Sequence, residues 1–272
     1  MQPEKGLYQR FINNLGLKRC STSPAALSAL IKAHLSVIPF ENISKLYYRS
    51  TLKQEHLPSL DQYLSGIEQF HFGGTCYSSN YYFYKLLEYM GYQVQLCSAD
   101  MKDPDVHMVT KVTLEQKEFL VDVGYAAPFL HPIPLFLKED QVIVSGRNRY
   151  VVKPRDYAGC TRILMYRNEK PKHGYTVKPE ARNFADFRQV ILNSFQADAN
   201  FLNSILITKY VAGRFCTLHN LEYSEATGSK TTLHQILQTG EMAKKVEEVF
   251  KIPASITSQI LDGLEWTGDA WD

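Results

Sequence analysis

Two spacings of apolar residues divide the chain. Up to roughly residue 90 they recur at intervals of three and four, the period of one helix face. Ser23-Pro24 supplies a capping hydroxyl followed by proline at the first helical position, and Leu27, Leu30, Ile31 and Leu35 then make a stripe. A second helix is predicted from near Ser59, with Leu60, Tyr63, Leu64 and Ile67 on one side. A third follows Gly73-Gly74. In it Phe83, Leu86, Leu87 and Met90 share a face, and Gly91 stands where a helix stop belongs.

Beyond Gly91 the runs are short and rich in β-branched and aromatic residues. Tyr92–Cys97, His107–Leu114, Phe119–Val123, Gln141–Val144 and Tyr150–Lys153, separated by turn residues, read as an antiparallel sheet or small barrel. The last stretch mixes strand-like pieces (Ser204–Tyr210, Arg214–Leu218) with helical segments expected at about Thr232–Phe250 and Ser255–Leu264. The fold class is therefore α+β. Its expected divisions are a helical part over 1–90, a β part over 91–190 and an α/β part over 191–272. The length suffices for two or three subdomains.

Composition narrows the function classes. Thirty basic residues against twenty-eight acidic ones leave a formal charge of +2, which argues against a nucleic-acid surface. A local basic cluster, Arg147-Asn148-Arg149, could still meet a phosphate-bearing cofactor. No run has the ~20 apolar residues that span a bilayer, and Met1-Gln2-Pro3-Glu4-Lys5 lacks an apolar signal core. No membrane association is expected. Cys20, Cys76, Cys97, Cys160 and Cys216 are odd in number, scattered and without a Cys-x-x-Cys pair. That fits reduced thiols in a cytoplasm and no structural metal.

Cys76 opens the third helix. There the positive end of the helix dipole and free N–H groups favour a thiolate and could hold an oxyanion. A cysteine merely filling space at a helix start would look the same. His107 and Asp122 tip the balance. Each lies in a strand pattern, and the carboxylate stands among apolar neighbours that leave it in need of a partner. With a hairpin loop of Thr113–Gln116, His107 lies directly opposite Asp122. With a loop centred on Gln116-Lys117 the two share a face but sit roughly 13 Å apart along the strand, too far without a bulge. A carboxylate on one imidazole nitrogen leaves the other free to take the thiol proton. Cys76, His107 and Asp122 are therefore the candidate catalytic residues.

Pro39-Phe40-Glu41-Asn42-Ile43, Gly73-Gly74-x-Cys76-x-x-x-Asn80-x-x-Phe83, Val106-His107 and Val121-Asp122-Val123-Gly124 occur in this order. Together they resemble the arylamine N-acetyltransferase family over roughly residues 5–135. The resemblance implies a helical bundle, a β-barrel and an α/β lid around a cysteine-protease-like catalytic core. It also implies a ping-pong reaction: acetyl-CoA acylates Cys76, and a small aromatic amine, hydrazine or arylhydroxylamine then takes the acetyl group. Acetyl-CoA is a substrate in this scheme, with no permanently bound cofactor. The resemblance points to Gly124, Tyr125, Ala126 and Phe129 as its contacts.

Three departures stand out. The family usually has Arg four residues before the nucleophile, Glu two after it, and a second glycine soon after Asp-Val-Gly. This chain has Phe72, Ser78 and Tyr125-Ala126-Ala127. Phe72 cannot pair with Glu41, so a buried Glu41 needs other donors: backbone N–H groups near the double glycine, or His71, Lys45 or Arg49. Competing readings of the same three residues are a transglutaminase-like or papain-like amidase, a thioester hydrolase, and a binding protein that has lost turnover.

Overall fold

A computed structural model describes residues 2–18 and 21–264; Cys20 lies outside them. The N-terminal part contains α1 (Gln2–Asn14), α2 (Pro24–Val37), the short strand β1 (Phe40–Glu41), α3 (Ile43–Leu52), α4 (Leu60–Phe70) and α5 (Cys76–Met90). The expected caps are in place. The hydroxyls of Ser23 and Ser59 accept from the N–H groups of Ala26 and Gln62 at 3.1 and 3.2 Å, and Gly91 ends α5 in the left-handed conformation. The predicted stripes of α2, α4 and α5 meet in one core, joined by Phe11 and Ile12 of α1.

The middle of the chain forms β2 (Gln93–Asp100), β3 (His107–Leu114), β4 (Lys117–Val121), β5 (Ile133–Pro134), β6 (Gln141–Ser145), β7 (Asn148–Val152), β8 (Thr161–Arg167) and β9 (Lys170–Ala181). They make an antiparallel sheet of order β5-β4-β3-β2-β9-β8-β7-β6, curled into a half-barrel around Val109, Leu120, Tyr150, Ile163 and Tyr175. The long β8–β9 hairpin is not foreseen in the apolar pattern. Proline, glycine and histidine interrupt β9 at Pro171, His173, Gly174 and Pro179.

A linking segment carries a 3-10 turn (Phe184–Phe187) and α6 (Arg188–Asn193). It leads to β10 (Leu206–Val211), β11 (Arg214–His219), β12 (Glu222–Thr227), β13 (Lys230–Gln235), α7 (Thr239–Phe250) and α8 (Ala254–Asp262). The helix expected from Thr232 begins only at Thr239. Residues 230–235 pair with β12 instead, because sheet hydrogen bonds outweigh the weak preference of this segment. The five-stranded sheet runs β1-β10-β11-β12-β13, so its first strand comes from the N-terminal part.

The β3–β4 register follows neither hairpin weighed above. Leu114 pairs with Lys117, leaving Glu115-Gln116 as a two-residue loop with φ of 49° and 61°. Two positive φ values mark the tight turn whose twist matches that of paired strands, here without the glycine or asparagine that would have signalled it. The register sets Asp122 opposite Val109, so His107 and Asp122 are diagonal neighbours on one face. No bulge is needed. The double substitution Glu115→Asn with Gln116→Gly gives the loop the residues such a turn favours. It should stabilise the protein by about 1–2 kcal/mol through relief of the left-handed strain. Urea unfolding checks this: an unchanged midpoint would contradict the turn assignment.

Candidate active site

Cys76 is the first residue of α5 and is 8% exposed. Thr75 leads into the helix in an extended conformation and makes no side-chain cap bond, so its hydroxyl leaves the first-turn N–H groups alone. The double glycine serves a close approach of protein to protein. A Cβ on Gly73 would fall 1.8 Å from the carbonyl oxygen of Pro39. One on Gly124 would meet Cys76 Cα at 2.8 Å and Asn80 Nδ2 at 2.7 Å, so Gly124 is what lets the Asp122 loop lie against the helix start.

The structure brings the three candidates together. His107 Nε2 lies 2.8 Å from Asp122 Oδ2, and the Cys76 side chain acts on the same imidazole. With Nε2 engaged, Nδ1 is the nitrogen left for the thiol. Burial alone would strip His107 of its proton. The charge and hydrogen bond of Asp122, helped by Cys76, outweigh it and raise the imidazole to about 10. Burial also works against an ionised Asp122, yet the charge and hydrogen bond of His107, with those of Asn80 and Tyr175, hold it below the usual carboxylate range. The pair thus favours a protonated imidazole beside an ionised carboxylate.

Asp122 is 2% exposed and its oxygens are saturated. Oδ2 also accepts from the Tyr175 hydroxyl at 2.7 Å, and Oδ1 accepts from Asn80 Nδ2 at 2.9 Å and from the Gly124 N–H at 3.0 Å. Asn80 further donates to Met108 O at 2.6 Å and accepts from Val123 N–H at 2.9 Å, stitching α5 to both ends of the β3–β4 hairpin. Asn80 stood in the sequence motif without a stated role. Tyr175 was missed altogether, since a tyrosine 53 positions away on a broken strand carries no local signal.

The Pro-Phe-Glu-Asn segment braces the nucleophile from behind. Phe40 bridges to Gly74, and Glu41 N–H donates to Gly74 O at 3.1 Å. The Glu41 carboxyl, fully buried, accepts from Gly73 N–H at 2.9 Å and Ser44 N–H at 2.8 Å. Backbone donors near the double glycine therefore replace the family's arginine. Of the other candidates, Lys45 binds Ser194 and Arg49 binds Glu55. Phe72 instead packs its ring against Tyr47, Tyr48 and Phe70. Ser78 turns back to the Thr75 carbonyl at 3.2 Å. Asn42 reaches the C-terminal part, donating to the carbonyls of Phe201 and Ser204 and accepting from Leu206 N–H.

A family model described as N-acetyltransferase matches residues 25–259, a span that contains the triad and all its supports. The chain belongs to the arylamine N-acetyltransferase family. It is 32% identical over 172 residues to proansamycin X synthase of Amycolatopsis mediterranei (strain S699), covering 60% of this chain and 64% of that protein. It is 26% identical over 136 residues to the liver isozyme of arylamine N-acetyltransferase of Gallus gallus, covering 46% of each. The matches thus span between about half and two thirds of these curated relatives. The fold extends further. The arylamine N-acetyltransferase of Mycobacterium abscessus superposes with a TM-score of 0.77 over 94% of this chain and 93% of its own at 18% identity. That of Mycobacterium marinum, solved in complex with CoA, gives 0.77 over 94% and 99% at 16% identity.

Of the four positions that the family resemblance assigns to acetyl-CoA, Gly124 abuts Cys76, and the other three are buried. Tyr125 bonds His173 Nδ1 through its hydroxyl at 2.7 Å and stacks on Phe129, which lines a cavity between the Pro128–Ile133 loop, β6 and the β10–β11 hairpin. Ala126 packs on Phe40 and Leu206 with φ of 59°, the left-handed conformation that suits the glycine usual near this point in the family.

Burial, opposed only in part by bonds from Ser44, Gly73 and Ile43, raises the Glu41 carboxyl above its ordinary range. A carboxyl raised on folding contributes stability that is complete below its unfolded value and is lost as pH rises through the folded value. Glu41→Ala leaves two buried N–H groups without an acceptor and should cost about 2–3 kcal/mol near pH 4. The deficit should narrow as pH rises. Urea titrations of both proteins across the pH range test this, and a gap that widens with pH would overturn it.

Proposed function

We propose that this protein transfers an acetyl group from acetyl-CoA to an arylamine, hydrazine or arylhydroxylamine through a thioester on Cys76. The observation that carries this reading is a buried relay in which Asp122 hydrogen-bonds His107 and favours its protonated form beside Cys76. A cationic imidazole is the partner a thiolate nucleophile needs. In the first half-reaction the sulfur attacks the thioester carbonyl, the bond to the CoA sulfur breaks, and His107 gives its proton to the departing thiolate. N–H groups at the start of α5 stabilise the intermediate oxyanion. In the second half, the amine nitrogen attacks the acetyl carbon, the bond to Cys76 breaks, and His107 takes the proton released by the amine.

CoA as donor is supported by family membership and by the CoA complex of the Mycobacterium marinum relative. Gly124 lies against the start of the nucleophile's helix, and the family resemblance is what assigns the thioester end of the donor to the 124–129 loop. The chain reads as three working parts: helices over 1–90 with the nucleophile, the β part over 91–190 with His107 and Asp122, and the 191–272 part as a lid. No described helix is long and apolar enough to cross a membrane, which is compatible with the cytoplasmic location proposed here.

Intact-protein mass spectrometry after incubation with acetyl-CoA should show a single acetyl adduct, discharged by an added arylamine with stoichiometric release of free CoA. Discharge at the same rate without amine would instead identify a hydrolase. Cys76→Ala or Cys76→Ser should abolish the adduct, and an adduct of normal rate on another cysteine would refute the assignment. Asp122→Asn favours the wrong tautomer of His107 and should slow acylation by about 10³–10⁴-fold.

A further inference from the structure

The segment from β9 to β10 runs over the nucleophile. It places Phe187, Ile191 and Phe195, which are 1%, 7% and 7% exposed, in one apolar cluster with Cys76, Tyr77, Leu96 and Met108. Phe184 fixes one end by stacking on Tyr81 with ring centroids 3.8 Å apart. Lys45 of α3 fixes the other. Its ammonium donates to the carbonyl oxygen of Ser194, and to Ser194 Oγ at 2.9 Å, and lies 4.2 Å from the centre of the Phe195 ring. Ser194 closes α6, so the cation meets the last carbonyl of that helix.

Lys45 is 8% exposed, and the catalytic steps above make no use of it. A lysine buried this far carries a desolvation cost that an apolar residue would avoid. What it does instead is tie α3 to the strap beside Cys76. We propose that Lys45 is a positioning residue that pins the 184–195 strap as a water-excluding roof over Cys76, directing the acyl group to an amine rather than to water. The inference rests on the acyl-cysteine reading above.

An acetyl group on Cys76 has two fates. With an amine, a C–N bond forms as the C–S bond breaks. With water, a C–O bond forms as the C–S bond breaks, releasing acetate and a proton and regenerating the thiol. The relay serves both equally, so the choice depends on which nucleophile reaches the carbonyl. A roof of phenylalanine and isoleucine offers water no hydrogen bond. Tyr77 and Phe195 line the small pocket beside it together with Lys45 and Thr75.

The latch is also sensitive to pH. Burial pushes the Lys45 ammonium down to about 7; the Cys76 sulfur on α5 opposes this shift, and Arg49 on the same helix adds to it. Tyr48, His56 and Tyr77 are the other titratable side chains lining that pocket. Above about 7 the neutral amine keeps weaker hydrogen bonds and loses its attraction to the Phe195 ring. His107, raised by Asp122 and by the Cys76 side chain in the unacylated protein, is the other titratable group of the site, and Lys45→Arg separates its titration from that of Lys45.

The test is the partition of pre-formed acetyl-enzyme between acetate and acetylated arylamine, a ratio independent of how fast the acyl-enzyme forms. Lys45→Met should raise the acetate share by about tenfold or more, and Lys45→Arg, which keeps a cation at all working pH values, should largely restore it. In the native protein the hydrolysis rate should show a step centred near pH 7 that is absent from Lys45→Arg. A folded Lys45→Met protein with the native partition overturns the proposal. Should that variant fail to fold, native hydrolysis that merely tracks hydroxide overturns it. Failure of acetyl-enzyme to form in the native protein refutes the proposed function itself, and this inference with it.

Discussion

An ionised carboxylate shut away from water needs its lost hydration replaced bond for bond, and Asp122 is where this chain meets that requirement. Its donors come from three parts of the sequence: His107 across the hairpin, Asn80 from the nucleophile's helix, and Tyr175 from the far side of the half-barrel, with the Gly124 N–H close by. Removing any one leaves a lone pair facing protein. The same carboxylate therefore favours a protonated His107 and ties α5, β3 and β9 together. Charge placement and tertiary geometry are one constraint here.

The departures from the family pattern illustrate a second constraint, that a buried carboxylate keeps its place only where donors remain for it. Loss of the usual arginine would strand Glu41 if no other donors reached it. This chain has lost both the arginine and the glutamate two places beyond the cysteine, to Phe72 and Ser78. Phe72 fills its place with aromatic contacts, and Ser78 satisfies itself on a nearby carbonyl. Replacing a buried ionic set by packed apolar groups is often neutral or stabilising. The surviving Glu41 keeps its place because its partners are backbone N–H groups of Ser44 and the double glycine, which no side-chain substitution removes.

What the sequence disclosed and what it hid divide along the same physical line. Helix starts at Ser23 and Ser59, the stop at Gly91 and the span of β3 depend on neighbouring residues, and they were readable. The order of Cys76, His107 and Asp122 was readable because each sits in a distinctive local setting. The β3–β4 register was not, since Glu115-Gln116 carries no turn residue and its left-handed backbone is imposed by the strands on either side. Residues 230–235 were misread as helix for a related reason: pairing with β12 decides their state, and such pairing leaves no trace in local spacing. Tyr175 and the Lys45–Ser194 contact join residues far apart in the chain, and no period in the sequence reports either.

Such long-range contacts make the site a product of complete folding. Strand β1 is two residues long, too short to hold by itself, and beside its bridge to Gly74 it pairs with β10, with Phe40 opposite Thr208 and Glu41 opposite Ile207. Asn42, next in the chain, satisfies both its amide groups on Phe201, Ser204 and Leu206. The segment that braces Gly73 and Gly74 behind Cys76 is thus itself held by the C-terminal sheet. A partly folded chain with helices and half-barrel formed would still lack the brace behind Cys76 and the strap above it. The support behind Cys76 therefore depends on the C-terminal strands as much as on the helix that carries the residue.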